Sequence, residues 1–124
     1  MNKNEDRHSD PAWNLPELLE RVDNDQELLR DLLIIFKEDF PLTMSSLESA
    51  VAAGDLKNSA MLSHTLKGML SSLGAVRTAA AAARLEVLAS TGETASVKGA
   101  LDALKREAAS LLPELEAYMA EVRH

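Results

Sequence analysis

The chain has 124 residues, 46% hydrophobic but only 3% aromatic, with a net charge of -7. That length suits one domain, and the negative charge argues against nucleic acid and against an anionic membrane surface as partner. The absence of cysteine excludes disulfides, thiolate zinc sites and cysteine nucleophiles.

The core must be built from Leu, Val, Ile, Met and Ala. Leucine and alanine favour helix, and the aromatic, β-branched runs of strands are missing. The start, MNKNEDRHSD, lacks the apolar segment of a signal peptide, and no apolar run approaches a membrane span. Residues 1–13 read as a disordered, solvated tail ahead of a folded domain over 14–124. These features fit a cytoplasmic protein.

In chain order, Asn14 is placed to cap a short first helix with Pro16 in its opening turn. Leu15, Leu18, Leu19 and Val22 share one side of it. Asn24 to Glu27 (NDQE) resembles a capping box for the next helix. That helix carries Leu28, Leu29, Leu32, Leu33, Ile35, Phe36 and Phe40 in helical period. Pro41 is expected to kink or break it near Asp39 and Phe40, with the pattern resuming at Leu42 and running to Val51. Gly54 stands where a C-cap glycine belongs, and Asp55 can cap the following helix.

Gly74 is expected to end that helix. The next runs from about Val76 to Ser90 and stops at Gly92; its alanines, Ala79 to Ala83, allow close approach of a neighbour. A last helix begins near Ala95. Its apolar stripe is Leu101, Leu104, Ala108, Leu111, Leu112, Leu115, Tyr118, Met119 and Val122, and Pro113 is expected to bend it. Four longer helices with short connections make an all-α fold, an antiparallel up-down four-helix bundle with a short extra N-terminal helix.

The stretch Ser63 to Ala75, SHTLKGMLSSLGA, holds the chemistry. On a helical wheel centred on Leu62, the residues Leu66, Met69, Leu70 and Leu73 form the core stripe. Ala60, His64, Lys67, Gly68 and Ser71 fall on the opposite side, with Met61 at its edge. This outer face is small, nearly free of acid and fairly apolar, as a protein-docking surface would be. A mid-helix glycine costs about 1 kcal/mol relative to alanine, and no packing need on an exposed face explains Gly68. A neutral imidazole is a nucleophile near pH 7. If it took up a phosphoryl group, Lys67 could stabilise the new charge. Gly68 would leave room for that group and for a partner. A surface His near a Lys is common by itself; the glycine and the acid-free face add the weight.

These residues resemble a known family. His64-Thr65-Leu66-Lys67-Gly68 followed by Leu73-Gly74-Ala75 is similar to the signature of histidine-containing phosphotransfer (HPt) domains. Asn24 to Phe36, Ala53-Gly54-Asp55 and Arg84-Leu85-Glu86 resemble the surrounding family segments, so the similarity spans roughly residues 14–118. The resemblance implies an exposed histidine that takes a phosphoryl group from the aspartate of one receiver domain and passes it to another. It implies His64 as phosphoacceptor through its outward nitrogen, with Lys67 for the charge, Gly68 for clearance and Glu86 to orient the ring. It implies docking of response-regulator receiver domains on Ala60, Met61, Lys67, Gly68 and Ser71, with a hybrid histidine kinase as a further candidate partner. No metal or cofactor of its own is implied; Mg2+ belongs to the receiver partner. A monomer is expected.

Other readings stay open. The chain lacks a nucleotide-binding motif and autonomous kinase activity is not expected, yet it could be a module cut from a hybrid sensor kinase, or a binding-only adaptor of response regulators. His8, His124 and His64 do not have metal-site spacing. Trp13 is expected to pack over one end of the bundle. Glu17, Glu20, Glu38, Asp39, Glu114, Glu116 and Glu121 read as solvated; Glu38 and Asp39 could tune partner choice if they lie close to the docking face, but the sequence does not place them.

Overall fold

The computed structural model describes residues 12–121. Most of the expected tail, His8, Val122 and His124 lie outside the described residues. Five helices follow in order: α1 (Leu15–Arg21), α2 (Gln26–Ala52), α3 (Leu56–Ser72), α4 (Val76–Ser90) and α5 (Thr94–Glu121). Residues 53–55, 73–75 and 91–93 make the tight connections between the four long helices, so consecutive helices pack antiparallel. Among the long helices, α3 makes its most extensive contact with α4, and α2 meets α5 to close the bundle.

The helix limits follow from local chemistry. Asn14 accepts from the Glu17 amide and Asp55 from the Asn58 amide, each satisfying an orphan donor of a first turn. The cap of α2 is Asp25, whose carboxylate accepts from the Leu28 amide at 3.0 Å, rather than Asn24 as the NDQE pattern implied. Asp23 and Asn24 lie in the left-handed region, φ 54° and 59°, one residue type each that tolerates it. This places Asn24 in the turn and leaves Asp25 with the extended backbone of a cap.

Neither proline breaks its helix. α2 continues through Pro41 and α5 through Pro113. Both prolines are on the exposed side. The carbonyl that each ring deprives of a partner therefore lies on a face open to solvent, which lowers the cost. Four residues on either side of Pro41, Phe36, Phe40, Met44 and Leu47 are buried, and this packing holds the helix as one piece.

The core runs the length of the bundle. Leu29, Leu33, Leu47, Leu66, Leu70, Leu85, Leu104, Leu111 and Leu115 are fully buried, as the leucine-rich composition requires. Trp13 closes one end, as expected. Its Nε1 donates to the Leu73 carbonyl at 2.8 Å, and its ring meets Tyr118 edge-on at 5.6 Å. Ala12 and Trp13 are buried and so belong to the folded body, not to a solvated tail. Beside them, the Asn14 amide donates to the Gly74 carbonyl at 3.0 Å and the Arg21 guanidinium to the Ser72 carbonyl at 2.9 Å. The chain before α2 is thus fastened to the α3–α4 turn. Gly74 is required there twice over: its φ is +76°, and a Cβ would lie 3.2 Å from the Asn14 carbonyl oxygen.

Two expectations about faces need correction. The wheel centred α3 on its large apolar residues, but Ser59 and Ser63 are fully buried while Leu62 and Met69 are only half-buried. The helix is rotated because α4 offers buried Thr78, Ala79, Ala82 and Ala89 on its inner side, and such small side chains let α3 approach closely. In α2, the single apolar run divides into two stripes. Leu29, Leu33, Phe36 and Phe40 face the core, whereas Leu28, Leu32 and Ile35 are exposed.

Candidate functional site

The site is built on α3 and completed by α4. Rotation of α3 toward α4 buries Ser63 and leaves the next residue, His64, outside with its side chain 66% exposed. One turn on, Gly68 is exposed, and nothing lies within 4 Å of where its Cβ would be. The glycine therefore answers no packing need inside the protein. Met61 and Ser71 are exposed on the same face. Ala60 is not free: it is half-buried and packs against the core.

Glu86 comes from α4 and reaches both charged residues of the motif. Its Oε2 lies 3.0 Å from His64 Nδ1, and its Oε1 lies 3.0 Å from Lys67 Nζ. The carboxylate is three-quarters shielded from solvent. The Lys67 ammonium above all, with help from His64, holds its pKa below the ordinary glutamate value near 4.5, against the desolvation that pushes it up. An ionised carboxylate only accepts hydrogen bonds. The proton between the two groups must therefore sit on Nδ1, which donates to Glu86. In a neutral ring this fixes the tautomer and puts the lone pair on Nε2, the nitrogen that Glu86 does not hold. The His64 side chain is largely exposed, one turn from the bare backbone of Gly68.

The Lys67 ammonium rests on Glu86, so the three side chains form one linked group, His64–Glu86–Lys67. Spacing along the chain brings His64 and Lys67 together; only the α3–α4 packing adds Glu86, which the resemblance alone had pointed to.

Two apolar flanks border this face. On the α2 side, Leu32, Ile35, Phe36, Asp39, Met69 and Ser72 line a groove between α2 and α3. On the α4 side, Val76, Ala79, Ala80 and Ala83 line a cleft with Lys67 and Ser71. The sequence reading did not single out either flank. The signal was present in the spacing: Leu28, Leu32, Ile35 and Leu42 follow a 4-3-7 order, a second helical stripe beside the core stripe. Among the described residues, no group of three or more His, Asp or Glu side chains is arranged to hold a metal ion, and no helix is long and apolar enough to cross a membrane.

Comparison with known proteins fits this geometry. A sequence search of curated proteins returned no match. Among solved structures, the chain is similar to the crystal structure of histidine-containing phosphotransfer protein B (HptB) from Pseudomonas aeruginosa PAO1. The TM-score is 0.85 at 26% identity, over 93% of this chain and 100% of that one. The family model described as the Hpt domain matches residues 31–124, which include the whole of α3 and α4. With the bundle fold and the exposed histidine helix already in place, that match shows that the chain belongs to the Hpt domain family.

Proposed function

We propose that His64 is the phosphoacceptor of this histidine phosphotransfer domain. Its Nε2 attacks the phosphorus of an aspartyl phosphate on a receiver domain; the N–P bond forms as the P–O bond to the aspartate breaks, and the partner's carboxylate leaves. The step runs in reverse toward the aspartate of a second receiver. The observation that carries this reading is the Glu86 contact at Nδ1, which leaves the lone pair on Nε2 of a largely exposed side chain.

The same contact has an electrostatic role. As Nε2 takes the phosphoryl group, the ring gains positive charge until a proton leaves Nδ1. The Glu86 carboxylate, already aligned on that proton, stabilises the charge without reorganising. Lys67, held on Glu86 and one turn from His64, can turn its ammonium toward the phosphoryl oxygens. Gly68 keeps the approach clear. Met61, Gly68 and Ser71 belong to the docking face, with Ala60 contributing only its half-buried edge. Magnesium enters with the receiver, whose acidic pocket holds it. The carrier is read as cytoplasmic, acting alone or as a module of a hybrid kinase.

The test is transfer of label from aspartyl-phosphorylated receiver domains with Mg2+ to wild type and to His64→Gln. Labelled wild type beside unlabelled His64→Gln is expected. Label retained by the variant would overturn the assignment.

A further inference from the structure

The seam between α2 and α5 lies across the bundle from the α3–α4 packing that builds the histidine site. Two cross-helix ion pairs close it: Lys37 with Glu116, and Lys105 with Glu48 at 3.1 Å. Along α2, Arg30, Lys37 and Glu48 stand seven and eleven residues apart, close to two and three helical turns, so they share one stripe. Lys37 and Glu48 each have a partner on α5. Arg30 has none. Its Nε is buried without a hydrogen-bond partner, and its side chain stands in no ion pair with a described residue.

Arg30 and Lys37 line a cleft of about 220 Å³ together with Glu116, Met119 and Ala120. The one acid of that cleft, Glu116, is taken by Lys37. The half-buried Arg30 is thus left without a counter-charge, although the chain as a whole carries -7. An unpaired donor on a partly buried charged group is unfavourable, and an oxygen acceptor placed on it removes that penalty. The guanidinium fork matches the paired oxygens of a carboxylate or a phosphate. Met119 and Ala120 beside it keep part of the competing water away.

We propose that this cleft is an oxyanion site centred on Arg30, which takes the carboxylate of an acidic side chain or a free phosphate. Lys37 borders the site and adds to its positive field. A bound oxyanion gives Arg30 the kind of partner that Glu116 and Glu48 give the two lysines of the seam. The site stands apart from His64, so it can be filled while the histidine face is occupied.

The test follows the Arg30 Nε–H resonance of the full chain while sodium phosphate replaces sodium chloride at constant ionic strength. A saturable shift is expected. The melting midpoint should rise with the same half-saturation, by about 4 °C or more at ten times that concentration. Phosphate also stabilises folded proteins by exclusion from their surface, a rise that does not saturate. Arg30→Gln should keep that general rise and lose the saturable part, whereas Arg30→Lys should keep a weaker saturable part. Circular dichroism should show both variants folded; if Arg30→Gln unfolds, the wild-type resonance and Arg30→Lys decide. Tetraglutamate titrated in the same way separates the sources. Half-saturation about tenfold or more below that of phosphate assigns the site to a protein carboxylate; any weaker response assigns it to free phosphate. An Arg30 resonance that moves no more in phosphate or tetraglutamate than in chloride would overturn the proposal, as would an equal saturable rise in Arg30→Gln.

Discussion

Glu86 on α4 holds Nδ1 of His64 on α3 at 3.0 Å, and this cross-helix contact decides which ring nitrogen keeps the lone pair. If it sets the tautomer, removing it should be visible in the ring itself. In Glu86→Ala the ring is expected to lose its preference for the Nδ1–H form, and label transfer onto His64 to slow by about tenfold or more. Nitrogen chemical shifts of His64 check the tautomer, and single-turnover transfer checks the rate. An unchanged tautomer with unchanged transfer would remove Glu86 from the site.

The same carboxylate gives a pH dependence. Its folded-state pKa lies below the ordinary glutamate value near 4.5. It therefore adds stability that is fully present above that value and is lost as pH falls through the lower, folded value. The stability advantage of wild type over Glu86→Gln should be constant from neutral pH to about 5 and then shrink as acid is added. Urea melts of both proteins across that range test it; an advantage that grows in acid would contradict the assignment.

Gly68 and Gly74 separate clearance from backbone need. Nothing meets an added Cβ at Gly68. Gly68→Ala should therefore stabilise the fold by about 0.5–1 kcal/mol through helix propensity. A larger side chain at the same place, Gly68→Gln, should leave stability near wild type yet reduce phosphotransfer from receivers. A loss of stability in Gly68→Ala would mean that the glycine serves the fold instead.

Gly74→Ala should do the opposite. The left-handed backbone and the Asn14 carbonyl 3.2 Å from the new Cβ make the change destabilising, by about 1–3 kcal/mol. It should also loosen the turn that anchors Trp13, read as a red shift or weakening of tryptophan fluorescence in thermal melts.

Much of this architecture was legible in the chain because local chemistry writes helix ends plainly. Asp55, Gly74 and Gly92 stand where the structure uses them, and the limits of α4 agree with the periodic pattern. The failures are tertiary. Ser59 and Ser63 are buried because α4 is lined with small residues, a property of the neighbouring helix and not of α3. Asn24 and Asp25 can each cap a helix, and only the left-handed turn chooses between them. A leucine set such as Leu28, Leu29, Leu32 and Leu33 has the right period but does not say which half faces water. At the site, His64 and Gly68 were visible as an outward pair, while the grip of Glu86 on both His64 and Lys67 joins residues from different helices that no spacing rule connects.

The central claim is that Nε2 of His64 carries the phosphoryl group. The most direct measurement is phosphorus–proton correlation NMR on the protein after transfer from a phosphorylated receiver, with His64→Gln beside it. One acid-labile N–P bond is expected, at Nε2 of His64, with no signal in the variant. A phosphoryl group on Nδ1, or one that persists in His64→Gln, would contradict it.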